Sequence, residues 1–160
     1  MRLVLYVAHC VRPTADEIAA FVGDPALAAS RATRANVSAA MHSLSWLRHT
    51  FSETTFIAPW ITSIQCGDDD ADPAQRESGL IDCCAVVERC DGIVLCGPRM
   101  SNGMRREMEH GMRVASRCSY IGDGFEVYDL IGYSIEGASC RNEDCGSFNA
   151  WMAYRESCTR

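Results

Sequence analysis

Cys90-Asp91-Gly92-Ile93-Val94-Leu95-Cys96-Gly97-Pro98-Arg99-Met100-Ser101-Asn102-Gly103-Met104-Arg105-Arg106-Glu107 is the stretch that decides the fold class. Ile93 to Cys96 is a short apolar run of the kind buried on both faces of a sheet. Gly97-Pro98 breaks it, and a helix is expected to start near Ser101, with Ser101 or Asn102 as its cap. A strand that runs through a glycine loop into a helix N-terminus is the way open α/β folds build sites for anions. Here a carboxylate, Glu107, also stands on the first turns of that helix.

The rest of the chain repeats the alternation. Leu3 to Ala8 (LVLYVA) is a continuous apolar run that reads as a strand buried on both faces. Thr14 is placed to cap a short helix reaching about Val22, with Asp16 and Glu17 in its first turn, and Gly23-Asp24-Pro25 breaks it. Val37, Ala40, Met41, Leu44 and Leu47 recur at helical spacing, which predicts an amphipathic helix from about Arg34 to His49. Thr55 to Trp60 reads as a second strand, and Ile61 to Gln75 as a connection with a polar aspartate loop at Gly67–Pro73. The aspartates there lack the glycine and closing glutamate of a calcium loop. Arg76 to Arg89 reads as a helix, Asn102 to Ser116 as another, and Phe125 to Ile131 as the last strand. Strands alternating with helices imply βαβ units. The expected fold is a single α/β, Rossmann-like (flavodoxin-like) domain over 1–133, a parallel sheet of about four or five strands flanked by helices. Residues 134–160 form a C-terminal extension, richer in Gly, Ser and Cys, with a short helix expected from Ser147 to Glu156.

Composition narrows the function classes. The 160 residues carry a net charge of −6, which argues against a nucleic-acid groove or an anionic membrane surface as partner. All 15 basic side chains are arginines, so lysine-nucleophile and Schiff-base chemistry are excluded for this chain. No apolar run has the length of a membrane span, and Met1-Arg2-Leu3-Val4 opens directly into a strand, so a cytoplasmic protein is expected. Of the ten cysteines, Cys10, Cys83, Cys84, Cys90 and Cys96 lie in or beside apolar segments as small hydrophobes. Cys140, Cys145 and Cys158 have only a faint zinc-like spacing, and neither a metal nor a cofactor is expected.

Periodicity separates the two glutamates of the helix after Ser101. At roughly 100° per residue Met104, Met108, Met112 and Ala115 share one face, and Glu107 falls at its edge between Gly103 and Gly111. Glu109 points the other way, between Arg105 and Arg113, as an exposed ion-pair residue. The glycine-lined edge beside Glu107 either admits a ligand or allows close packing on a strand. Asp91 reads as an acceptor for backbone amides at the turn into its strand. Arg99 is a loop arginine within reach of an anion, and Trp60 a ring able to stack on a base or to cover the sheet edge.

Ser101-x-Gly103-x-x-x-Glu107, following Asp91-Gly92-Ile93-Val94-Leu95, resembles the signature of the nucleoside 2-deoxyribosyltransferase-like superfamily. This group includes the nucleoside 5'-monophosphate N-glycosidases and a phage-associated branch. Leu5-Tyr6-Val7-Ala8, Asn36, Ala58-Pro59-Trp60 and Asp82, nine residues before Asp91, match its pattern in order and spacing, over roughly residues 3–131. The resemblance implies an N-glycosidase that cleaves or transfers the N-glycosidic bond of a nucleotide or deoxynucleotide. Glu107 is then the nucleophile of a covalent glycosyl–enzyme, with a helix N-terminus favouring its ionised form. Asp82 assists departure of the base, and Tyr6 positions Glu107. Ser101 and Gly103 line the substrate site, and a serine at that place suits a 5'-phosphate. The partner is a small nucleotide or nucleoside, and a homodimer or higher oligomer is implied. His9-Cys10 departs from the glycine that relatives carry after the first strand, so the His9 side chain either fills the space through which backbone approaches the ligand or serves as a phosphate or base contact. The alternatives are a non-catalytic nucleotide-binding or sensing module and a structural, partner-binding protein.

Overall fold

The computed structural model describes residues 2–67, 72–115 and 125–132. The 134–160 extension, its helix at 147–156, the cysteines at 140, 145 and 158 and most of the aspartate loop lie outside the described residues. Four strands, β1 (Leu3–His9), β2 (Thr54–Ile57), β3 (Gly92–Gly97) and β4 (Glu126–Ile131), form one parallel sheet in the order β2-β1-β3-β4. The helices are α1 (Ala15–Ala19), α2 (Pro25–Thr50), α3 (Trp60–Cys66), α4 (Pro73–Val87) and α5 (Asn102–Ala115). This is the single Rossmann-like α/β domain that the alternating pattern implies.

The central strands bury both faces, as their unbroken apolar runs require. Leu3, Leu5 and Val7 of β1 and Val94 and Cys96 of β3 pack with Leu44, Leu47 and Phe51 on the α2 side. Tyr6, Ala8, Ile93 and Leu95 face the other way, onto Cys83 and Val87 of α4 and Met104 of α5. This alternation turns Tyr6 towards the helix that bears Glu107. Asp91 accepts the Val4 amide at 2.7 Å, locking the entry of β3 to β1 as its place before the strand indicated.

Four boundaries differ from the sequence reading, two for one reason. Asp24 accepts the Leu27 amide and Asp72 the Ala74 amide, each followed by a proline in the first helical turn. Proline there lacks only an amide that has no helical partner, and its fixed φ suits the helix. Gly23-Asp24-Pro25 and Asp72-Pro73 are therefore helix starts, and α2 begins nine residues before Arg34. The third difference is α3, which occupies residues read as strand end and connection, so that β2 closes at Ile57. Gly67, at φ 78, ends it in the left-handed region. The short helix after Thr14 closes at Ala19 rather than Val22, with Thr14 and Glu17 forming a reciprocal capping box.

Candidate active site

Chain direction reverses between β1 and β3: from β1 the chain crosses to β2 on one side, then returns to β3 on the other. In open parallel sheets the crevice for ligands lies at this switch point, beyond the carboxyl ends of the strands. A cavity of about 410 Å³ occupies it. His9 at the end of β1 and the loop after it, Trp60 and Ser63 of α3, Arg76 and Cys83 of α4, and Arg99 to Met104 with Glu107 of the β3–α5 junction line its wall.

Glu107 is only 6% exposed. The Tyr6 hydroxyl donates to its Oε1 at 2.8 Å. Burial pushes the Glu107 carboxyl up to about 7, against the hydrogen bonds from Tyr6 and Cys83 and the charge of Arg76. The expectation that the helix N-terminus would favour its ionised form is corrected here. Glu107 is the sixth residue of α5, beyond the first turn in which the dipole acts, and desolvation prevails. Tyr6 is held well above its ordinary value by burial and by the Glu107 charge, so the phenol stays protonated and donates. Cys83 is pushed up to about 12 by burial and by Glu107, so it remains a thiol. The buried residues of α5 are Gly103, Met104, Glu107 and Gly111, whereas Met112 is 52% exposed. The buried face is thus rotated towards Glu107, away from the methionine stripe that the spacing picked out. Glu109 is exposed, as read.

Both uses of the glycines occur. A Cβ at Gly111 would lie 2.3 Å from Phe125 Cζ, so that glycine allows packing on the segment entering β4. Gly103 lines the cavity instead, facing Leu80 and the Ser101 hydroxyl. Ser101 Oγ accepts the Met104 amide at 3.2 Å, which caps α5 at the cavity wall. Trp60 also lines the cavity, and its indole Nε1 donates to the Val7 carbonyl at 2.8 Å, fixing α3 to the end of β1.

Arg12, Arg76 and Arg99 all line the same cavity. Arg99 is held by Glu17 at 3.3 Å and by the Arg12 carbonyl at 2.7 Å. The Arg99 hydrogen bonds hold the Glu17 carboxyl down at about 2, against desolvation and with help from Thr14 and Asn36. Asn36 contacts Glu17 at 3.1 Å, so it orders the wall through Glu17 and Arg99. Arg12 and Arg76 carry no motif of their own, and their convergence depends on how the loop after β1 and α4 fold back. His9 is 7% exposed at the wall, packed against Gly97. Asp82 is not brought to this cavity. It is exposed on α4, while its neighbour Cys83, about 100° further round the helix, is buried against Tyr6 and Glu107.

A Rossmann-like domain with a buried carboxylate at its switch point and an arginine-lined wall is the class that fold and site define. The family described as a domain of unknown function (DUF7768) matches residues 26–121, and the chain belongs to that family. The matched residues contain Trp60, Cys83, Ser101 and Glu107, while Tyr6 and His9 precede them. No curated protein and no solved structure matches the chain.

Proposed function

We propose that this protein is an N-glycosidase acting on a nucleotide, with Glu107 as nucleophile. The observation that carries the reading is a buried glutamate, hydrogen-bonded by Tyr6, in a cavity that also presents three arginines. A carboxylate faces the electron-poor anomeric carbon, while guanidinium groups and a capped helix start suit a phosphate. The Glu107 carboxylate attacks C1' of the sugar. The bond from C1' to the base nitrogen breaks, its electron pair leaves with the base, and the base takes a proton from water. Attack by water on the glycosyl–enzyme then returns the carboxylate and gives retention, the logic of a retaining glycosidase. Tyr6 keeps one carboxylate oxygen in place through both steps. Trp60 covers the base, and Ser101 with Arg99 holds the 5'-phosphate. Glu107 is the only carboxylate among the described residues lining the cavity, so none of them offers a second carboxyl to protonate the leaving group. A heterocyclic base, which spreads negative charge over its ring, leaves more readily than a sugar alkoxide and needs that help less.

A second copy of the chain is proposed to close the cavity's open side. The test is incubation with a panel of nucleoside 5'-monophosphates, followed by chromatography for free base. Wild type and Asp82→Asn release base at similar rates, and Glu107→Ala releases none above background. Release undiminished in Glu107→Ala, or no release from any monophosphate, overturns the reading. Calorimetric binding without turnover then favours the nucleotide-sensing alternative.

A further inference from the structure

His9 closes β1 and, among the described residues, is one of four buried polar or charged ones, together with Ser43, Thr54 and Glu107. Its Nδ1 lies 3.2 Å from the Cys10 carbonyl oxygen. A carbonyl only accepts, so Nδ1 carries the hydrogen, and Nε2 of the neutral ring is left with a lone pair. No described residue bonds Nε2, and it is not sealed away among the buried atoms without partners. Gly97 makes room for the ring: a Cβ there would lie 2.9 Å from Cε1 and 3.0 Å from Nε2. An imidazole has thus been fitted into the cavity wall as an acceptor, beside guanidinium groups that call for an anion.

We propose that His9 is the proton-taking member of an anion site: when a tetrahedral dianion enters beside Arg99, Nε2 takes one proton from solvent and donates to the anion. The inference rests on the reading of the cavity as an anion site. Without ligand, burial lowers His9 and the Arg99 charge lowers it further, against the Cys10 carbonyl. The charged and titratable groups around it are Arg99 after β3, Glu17 of α1 paired with Arg99, Arg12 after β1 and the buried Cys10 thiol, with Arg76 of α4 and Glu107 of α5 across the cavity. Trp60 and Ser63 of α3 are neutral. An arriving dianion offsets the Arg99 charge and gives the imidazolium a partner, so both effects that kept the ring neutral are relieved. Linkage then requires that the anion bind more weakly as pH rises.

Inorganic sulfate is the probe, because it does not titrate in the relevant range. Nitrogen-15 NMR of the imidazoles, with His9→Asn assigning the resonance among the four histidines, reads the ring directly. The expected result is an Nδ1–H neutral ring in free protein at pH 7 and an imidazolium at saturating sulfate. From about pH 6 to 8 the sulfate Kd of wild type weakens more steeply than that of His9→Asn, by up to ~10-fold per pH unit. Glu107 titrates in the same range, but its effect is common to both proteins and cancels in the comparison. An Nε2–H ring, a ring still neutral at saturating sulfate, equal slopes, or no sulfate binding overturns the proposal. None of these readouts needs turnover. Base release with an unmoved His9 defeats the proton coupling alone, and proton uptake without base release defeats the N-glycosidase alone.

Discussion

Replacing Glu107 by glutamine separates a carboxylate kept for chemistry from one kept for structure. The group is 6% exposed, and burial raises it from an ordinary 4.5 to about 7. A raised carboxyl costs the fold nothing while both folded and unfolded chains are protonated, below about pH 4.5. The cost grows as pH rises, because the unfolded chain ionises first, and it levels off above about 7. At roughly 1.4 kcal/mol per pH unit the full cost is about 3 kcal/mol. Glu107→Gln keeps an oxygen to accept from Tyr6 and removes the charge. The variant is therefore expected to match wild type within about 1 kcal/mol at pH 4.5 and to exceed it by about 3 kcal/mol at pH 8. For a chain of this size that is a rise in Tm of roughly 6–12 °C at pH 8. Calorimetric melts of both proteins at the two pH values, with base release measured in parallel, are the assay. More stability at pH 8 together with lost turnover marks a residue that the fold bears at a cost. A variant no more stable than wild type at pH 8, with the same gap at pH 4.5, refutes the reasoning.

The other perturbations act on the groups around Glu107. Tyr6→Phe removes a buried donor that opposes the rise of Glu107, so the pH at which base release is half-maximal moves upward, read from a kcat/KM profile; loss of the hydrogen bond costs about 1 kcal/mol in denaturant unfolding. Arg99→Ala frees Glu17, whose folded value of about 2 lies below its ordinary 4.5. The Glu17–Arg99 pair stabilises above about pH 4.5, and that contribution is lost as pH falls towards 2, so the variant's stability falls less steeply over that window, followed by urea midpoints.

The sheet was legible because its central strands announce themselves. Leu3–His9 and Gly92–Gly97 are apolar runs buried on both faces, and nothing but a parallel sheet with helices on both sides accommodates them. Aspartate–proline pairs were misread because Pro25 and Pro73 punctuate a chain in either direction, and only the capping oxygens of Asp24 and Asp72 show that they open helices. Glu107 was found by helical phase, whereas Tyr6 came only from the family resemblance, because a run apolar on both faces does not say which helix its tyrosine meets. Asp82 shows the limit of that method. Leu80, Ile81, Cys83, Cys84 and Val87 make α4 apolar nearly all round, so no phase could be assigned, and one residue decides between exposure and the cavity. The arginines at 12 and 76 leave no periodic trace at all, since their meeting depends on the folded path of the loop after β1 and of α4.

The ionisation of Glu107 follows from how closely α5 packs, and of the two glycines beside it Gly111 sets that distance while Gly103 lines the cavity. Gly103 and Gly111 lie four residues to either side of Glu107, one turn above and one below, on the same buried face. At Gly111 a single added carbon would overlap Phe125, and at Gly103 it would press on Leu80 at 3.4 Å. A side chain at Gly111 would push α5 off Phe125 and loosen the buried face on which Glu107 stands, so the carboxyl would return towards its ordinary value. Close packing at Gly111 thus helps to desolvate one carboxylate, and the same group becomes a burden on stability that titrates near neutral pH.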